Sequence, residues 1–553
     1  MENAMISIVL DGKKAQVAPG TTLLALTKGR GKGAENPVVA ALRNNRVCEL
    51  YHCAQEGDDI RLLDLSDENG NRVYFRGLLH LFVQAVKKVL HGGDVDVQHA
   101  INEGLYCERL DGKPFTPFEL DAIEREMRAT VERDEPFVRQ LIARDEAIAF
   151  YRSEGAEDKA RLLSFREDNV FKVYSCGGMS DYFYGHMPPS TGYLTRFQVI
   201  YSYPGCLILY PHCEEVAAPL VYTPQPKLSH VLRESEHWAD EMGCATVADL
   251  NAIVARGGLP GLIRVSEALH ERCVVEMAEA IKERGKRVVL IAGPSSSGKT
   301  TFMKRLAVQL RAGGQKTERI SLDNYYIDRD KLAPGPDGKQ DFETIDALDV
   351  PRFNRDLANI LAHQEVQLPR FDFKDGKSKP GRLVRLDEEG VLLVEGIHGL
   401  NDRLTESVAE EEKYRIYISA LTQLNLDHHN RIPTSCARLL RRLVRDAAHR
   451  GSAAERTLGM WPSVREGESR WIFPNQERAD YMFNSTLIYE LLFVKRLATP
   501  LLTAVKEDDP AFPEANYLAK FLKYFVDPGP GAEQAIPANS LLREFIGGSC
   551  FGQ

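Results

Sequence analysis

Gly293, Pro294, Ser295, Ser296, Ser297, Gly298, Lys299 and Thr300 run consecutively and fit the spacing GxxxxGK[ST]. Small residues let backbone N–H groups approach phosphate oxygens, and a helix that starts at the end of such a loop adds positive potential. Lys299 supplies a point charge for the terminal phosphates of a nucleotide, and the Thr300 hydroxyl suits Mg²⁺. Thr301, the next residue, is read with the loop as nucleotide-contacting. Two acids downstream extend the chemistry. Asp323 ends the run 317–322, and Glu395 follows the four apolar residues 391–394. In open α/β sheets, ligands bind beyond the carboxyl ends of the strands. Asp323 is therefore placed either to take the proton of an attacking hydroxyl or to cap a helix start. Glu395 suits Mg²⁺ held beside phosphates. Arg438, Arg441, Arg442, Arg445, His449 and Arg450 follow at helical spacing, with 438, 442, 445 and 449 on one face. Five arginines without balancing acids repel one another unless an anion is near. A lid over nucleotide phosphates supplies that anion; a solvated face and an RNA contact are the alternatives.

These side chains need a frame. The apolar run 288–292 reads as a buried strand, and 301–312 has helical spacing through Phe302, Leu306 and Leu310, stopping at Gly313 and Gly314. Strand, glycine-rich loop and helix are the context that the loop pattern requires. From 286 to 505, strands and helices alternate, which predicts a parallel α/β sheet with helices on both faces. Upstream, residues 1–65 carry short strands with a hairpin signal at Asp11 and Gly12. Residues 67–71 read as a polar linker, 77–90 as an amphipathic helix and 117–152 as a charged helical stretch. Residues 182–211 read as strands, and 226–285 as helical. A tail over 506–553 holds the loop 527–531 and the apolar-charged segment 541–545.

Composition limits the alternatives. At 553 residues the chain exceeds one core and predicts about three to four domains. A net charge of -9 gives no global field for nucleic acid. No apolar run reaches the length of a membrane span. The start, MENAMISIVLDGKK, lacks the pattern of a secretory signal. The ten cysteines are scattered without a CxxC, which predicts reduced thiols and a cytoplasmic protein.

Residues from about 287 to 500 resemble the phosphoribulokinase/uridine kinase family, and within it the uridine kinases. The resemblance rests on GPSSSGKTT, SLDNYY, DFETIDALD, PRFDF, VLLVEGIHGL and RLLRRLVRDAAHRG, in that order. It implies ATP- and Mg²⁺-dependent phosphoryl transfer to a hydroxyl, in nucleoside kinases the ribose 5′-hydroxyl. Asp323 matches the catalytic base, and Lys299, Arg442 and Arg445 match charge-neutralising groups. Thr300 and Glu395 match the metal-associated pair. Tyr326, Phe371 and Phe373 match pocket aromatics, and Glu343 stands where an Asp usually binds the ribose hydroxyls. Two positions depart: a pyrimidine-recognising His is Gly376, and a further lid Arg is Ser452. The acceptor is therefore a nucleoside or another polyol.

Residues 1–65 resemble a TGS domain, the β-grasp module at the front of threonyl-tRNA synthetases. Residues 70–225 resemble the editing domain that follows it there, through RGLLHLFVQAVKKVL, FTPFELDAIEREMRATVERDEPF and DYFYGHMPPSTG. In the synthetases a HxxxH helix with a distant Cys and His forms the editing site. Here those four positions are Arg76, His80, Phe183 and Met187, with His186 one residue away. An aromatic ring and a thioether cannot do the chemistry of Cys and His, so editing activity is expected to be lost. No match to the aminoacylation core is found, so tRNA charging is not expected. The expected plan is 1–65 TGS-like, 70–225 editing-like, 226–285 helical linker, 286–505 kinase-like and 506–553 tail. The expected partners are a small-molecule acceptor and a second copy of the chain, with tRNA or RNA as the alternative and no membrane.

Overall fold

The computed structural model describes residues 5–101, 104–332, 340–373 and 375–551. The chain opens on a five-stranded mixed sheet. Ile6–Leu10 turns back onto Lys13–Val17 through Asp11 and Gly12, both at positive φ, as a two-residue hairpin requires. Ile6–Leu10 also pairs in parallel with Asp59–Leu63, which pairs with Ala40–Arg43. Ile8, Leu23, Val38 and Ile60 form the small core of this β-grasp unit.

The helix Glu68–Val89 follows at once. Residues 67–71, read above as a linker, open it instead: the Asp67 side chain accepts the Asn69 N–H and caps the helix. A polar run is also what a helix N-terminus needs, so composition alone could not separate the two. The stretch 117–152 is likewise not one helical unit. Helix Pro117–Arg133 stops at Asp134, which is left-handed, and strand Val138–Ala143 intervenes before helix Arg144–Ser153. Val138 and Leu141 on that strand are exposed, so burial imposes no alternation on it. A four-stranded antiparallel sheet, including Gly205–Leu209 and Gln198–Ser202, completes this region. Helices Pro226–Glu241, Val247–Ala255 and Leu259–Glu283 lead to the C-terminal sheet.

That sheet has five strands, β1 (Val288–Ala292), β2 (Thr317–Ser321), β3 (Val391–Glu395), β4 (Lys413–Ser419) and β5 (Tyr481–Asn484), in the order β2-β3-β1-β4-β5. Every neighbouring pair is parallel. Helix α1 (Lys299–Ala312) leaves the loop after β1, and helix α2 (Thr434–Arg450) follows β4. Alternation along β1 sends Val288 and Leu290 into one core, with Ile320 and Phe353. Val289 and Ile291 enter another, with Phe302 and Leu306 of α1. A parallel sheet covered on both faces has this signature. The segment read as a tail is packed onto the body: Leu518 and Phe521 join one core and Leu541 another.

Candidate functional site

The loop after β1 is shaped by close approach. A Cβ at Gly293 would collide with the Ile418 carbonyl of β4. Ser296 and Gly298 take positive φ, which glycine tolerates without cost. Two buried arginines of α2 hold the loop from behind. Arg438 Nε donates to Ser295 O at 3.1 Å and Arg441 Nη1 to Ser296 O at 3.4 Å. Arg438 is ion-paired with Glu468, whose carboxylate accepts the Ser295 N–H at 3.0 Å. Arg441 is ion-paired with Glu490, and Arg442 Nη1 donates to Ser295 Oγ at 2.8 Å. Lys299 Nζ donates to Gly293 O at 2.9 Å and Pro294 O at 3.1 Å. Burial lowers its pKa.

The two predicted acids stand at the carboxyl ends of adjacent strands. Glu395 closes β3 and is buried, with Oε1 3.5 Å from Thr300 Oγ1. Burial, and then the charge of Asp323, push its pKa up to about 7. Asp323 lies inside the helical turn 322–325 beyond β2, whose N-cap position is Ser321. Asp323 acts electrostatically on Lys299 and Tyr326 as well, so these side chains share one centre. Among the described residues no group of three His, Cys, Asp or Glu is spaced to hold a metal. Thr300 and Glu395 do present oxygens to one point. That set fits Mg²⁺, which binds through one or two protein oxygens together with substrate phosphates.

The predicted acceptor residues also come together. Tyr326 packs against Phe371 at 5.7 Å between ring centroids and Phe373 at 6.1 Å, and those two rings are 5.1 Å apart. Glu343 borders Gly467, where an added Cβ would strike it. Burial, and then Glu468, raise the Glu343 pKa to about 7. Arg450, a member of the arginine helix to which the sequence assigns no individual role, places its guanidinium 6.0 Å from the Phe373 ring centroid and feels Asp323. Gly376 has a steric reason: it sits at positive φ with Arg329 against it, so a side chain has no room. Ser452 donates its N–H to Asp446 O at the end of α2.

One expectation is corrected. The arginines of α2 do have balancing acids. Asp446 lies within 3.4 Å of Arg442, Arg445 and Arg450, while Glu468 and Glu490 take Arg438 and Arg441. Repulsion among them therefore requires no bound anion, and Arg438 and Arg441 support the loop rather than cover it.

In the N-terminal half, His80 is fully buried against Phe137 and Phe183, and burial lowers its pKa to about 4. Phe183 and Met187 are core residues. Arg76 Nη1 donates to His186 O at 2.7 Å, and the His186 ring pairs with Glu49 at 3.0 Å. His186 is thus turned to the β-grasp unit and does not replace the missing His.

An all-parallel sheet in this order, with a glycine-rich loop between β1 and α1, an acid just beyond β2 and another ending β3, defines a P-loop kinase-type module. Residues 288–488 match the Phosphoribulokinase / Uridine kinase family, and this segment is a domain of that family. The N-terminal region is similar to threonyl-tRNA synthetases. The "Threonine--tRNA ligase" of Desulforamulus reducens is 32% identical over 198 residues, covering 35% of this chain and 31% of its own length. That of Syntrophomonas wolfei gives the same identity and coverage. This chain therefore spans about a third of the length of these relatives. Among solved structures, a "Possible Uridine Kinase" from Bacillus stearothermophilus is 19% identical at a TM-score of 0.27, covering 38% of this chain and 98% of its own.

Proposed function

We propose that this protein transfers the γ-phosphoryl group of ATP to a hydroxyl of a small polyol, the ribose 5′-hydroxyl of a nucleoside fitting the pocket best. The observation that carries this reading is the convergence of Lys299, Thr300, Asp323 and Glu395 beside the cluster of Tyr326, Phe371 and Phe373. The aromatic faces suit a flat base, and Glu343 suits hydroxyls. Asp323 takes the proton as the acceptor oxygen attacks the γ-phosphorus. The new O–P bond forms as the β–γ bridging O–P bond breaks, and ADP leaves with the bridging oxygen. Lys299, Arg442 and Arg445 neutralise charge as it spreads over the transferring group. Mg²⁺, held by Thr300 and Glu395, would neutralise the phosphates when bound. The loop binds and orients the donor through its amides. A screen of ATP consumption across nucleosides and related polyols tests the reading; no acceptor-dependent consumption in any of them would reject it.

A second reading, an NTP-gated RNA-binding regulator, is favoured by one contact. The hairpin 425–431 of the kinase module reaches into the editing-like region, where Val97 N–H donates to His428 O at 2.8 Å. There the His429 ring pairs with Asp181 at 2.7 Å. A salt-dependent tRNA-binding assay with and without nucleotide tests it. No retention of tRNA at low salt would remove it. Phe183, Met187 and the engaged His186 support loss of aminoacyl-tRNA deacylation, which an assay on mischarged tRNA checks.

A further inference from the structure

The first N–H groups of a helix lack intrahelical partners and are the groups that cradle phosphate. At the start of α1, one of them is already taken. Thr301 N–H donates to Glu544 Oε2 at 3.3 Å, and Thr301 Oγ1 donates to the same oxygen at 2.6 Å. Glu544 comes from 243 residues further along the chain. It sits in the short helix Arg543–Ile546, between anchors that do not move easily. Leu541, Leu542 and Phe545 are fully buried. Phe545 lies under the Arg441 guanidinium at 5.0 Å, and Leu541 packs where Gly298 has no side chain. Arg543 Nη2 donates to Glu533 O and Ile536 O, each at 2.7 Å. Glu544 itself is only half-buried. Its side chain can swing while the anchors stay.

We infer that Glu544 is a built-in competitor for the nucleotide, a carboxylate from the C-terminal segment that holds a phosphate-binding amide and hydroxyl of the loop. The inference rests on the reading of Gly293 to Thr301 as the nucleotide site. A phosphate oxygen and the Glu544 carboxylate cannot accept from the same Thr301 N–H at close range. Glu544 also adds a negative charge to a centre that already holds Asp323 and Glu395 around Lys299. A polyphosphate entering the loop must therefore turn Glu544 out. A merely structural cap would act the other way: losing it would loosen the helix start and weaken binding.

The test is nucleotide affinity in the full chain, by calorimetry with ATP and Mg²⁺. Glu544→Gln keeps the shape and removes the charge, and Glu544→Ala removes the acceptor altogether. Both are expected to tighten ATP binding, by roughly tenfold for a charge-assisted contact at a helix N-terminus. Thermal unfolding of each variant verifies that it folds. Unchanged or weaker affinity in the folded variants overturns the competitor role. Lys299→Ala separates the two readings. If wild type binds and Lys299→Ala does not, while Glu544→Gln equals wild type, only the competitor falls. If neither wild type nor any variant binds, the nucleotide site falls with it.

Discussion

Thr300 and Glu395, 95 residues apart, bring a hydroxyl and a carboxylate within 3.5 Å. One opens α1 and the other closes β3, so the pair exists only because β1 and β3 are parallel neighbours. Backbone register, rather than any local motif, sets the geometry of the donor site. The same register places the end of β2, and with it Asp323, beside Glu395: Ser321 pairs with Glu395 across the sheet.

Glu343 makes the site sensitive to pH. Its pKa rises from 4.5 to about 7 on folding. Between those values the folded state holds a proton that the unfolded chain has released, so this group lowers stability as pH rises through the window. Above about 7 the carboxylate is ionised, and on the proposed function it would then accept hydrogen bonds from acceptor hydroxyls. Stability is expected to fall and the acceptor KM to improve as pH rises from 5 to about 7.5, the KM by up to about tenfold per pH unit below the pKa. Glu343→Gln should flatten the KM profile and reduce, without abolishing, the fall in stability, because Glu395 titrates in the same window; thermal melts and steady-state kinetics across pH read them.

The aromatic cluster predicts which constant moves when it is trimmed. Phe373 is 49% exposed, so Phe373→Ala should cost little stability. It removes one ring of the cluster proposed to face the base, and on that reading the acceptor KM should rise about tenfold, the loss of one stacking contact of about 1–1.5 kcal/mol. The KM for ATP should stay within twofold. Steady-state kinetics with each substrate varied in turn reads both constants.

Arg441 tests the support under the loop. It is fully buried with Glu490, and Arg441→Leu strands that carboxylate. The expected cost is about 3–5 kcal/mol, because a buried charge loses its partner. The double variant Arg441→Leu/Glu490→Leu should recover most of it. Denaturant unfolding of the two single variants and the pair measures the coupling.

The parts of this site that could be read from sequence are those fixed by short spacing. The loop 293–300 is contiguous, and Glu395 ends an apolar run that a buried strand explains, whereas Asp323 follows a mixed, partly exposed strand. Tyr326, Phe371 and Phe373 were placed by resemblance, and tertiary folding brings their rings together. The supports were not legible. Glu468 on Ser295, Glu490 on Arg441 and Glu544 on Thr301 bridge distant segments, and no spacing marks such contacts. Asp446 is legible: it stands four residues after Arg442, the separation at which helix charges pair. Strand Val138–Ala143 was hidden because solvent leaves its outward positions free of any apolar pattern.

Transfer of labelled γ-phosphate from ATP to a nucleoside or related polyol, compared between wild type and Asp323→Asn at matched ATP occupancy, tests the central claim most directly. Wild type is expected to yield labelled phosphomonoester. Asp323→Asn should retain ATP affinity and lose about 10²–10⁴-fold in turnover, the usual contribution of a positioned general base. Equal turnover in the two proteins, or ATP binding by wild type without label reaching any hydroxyl acceptor, would contradict it.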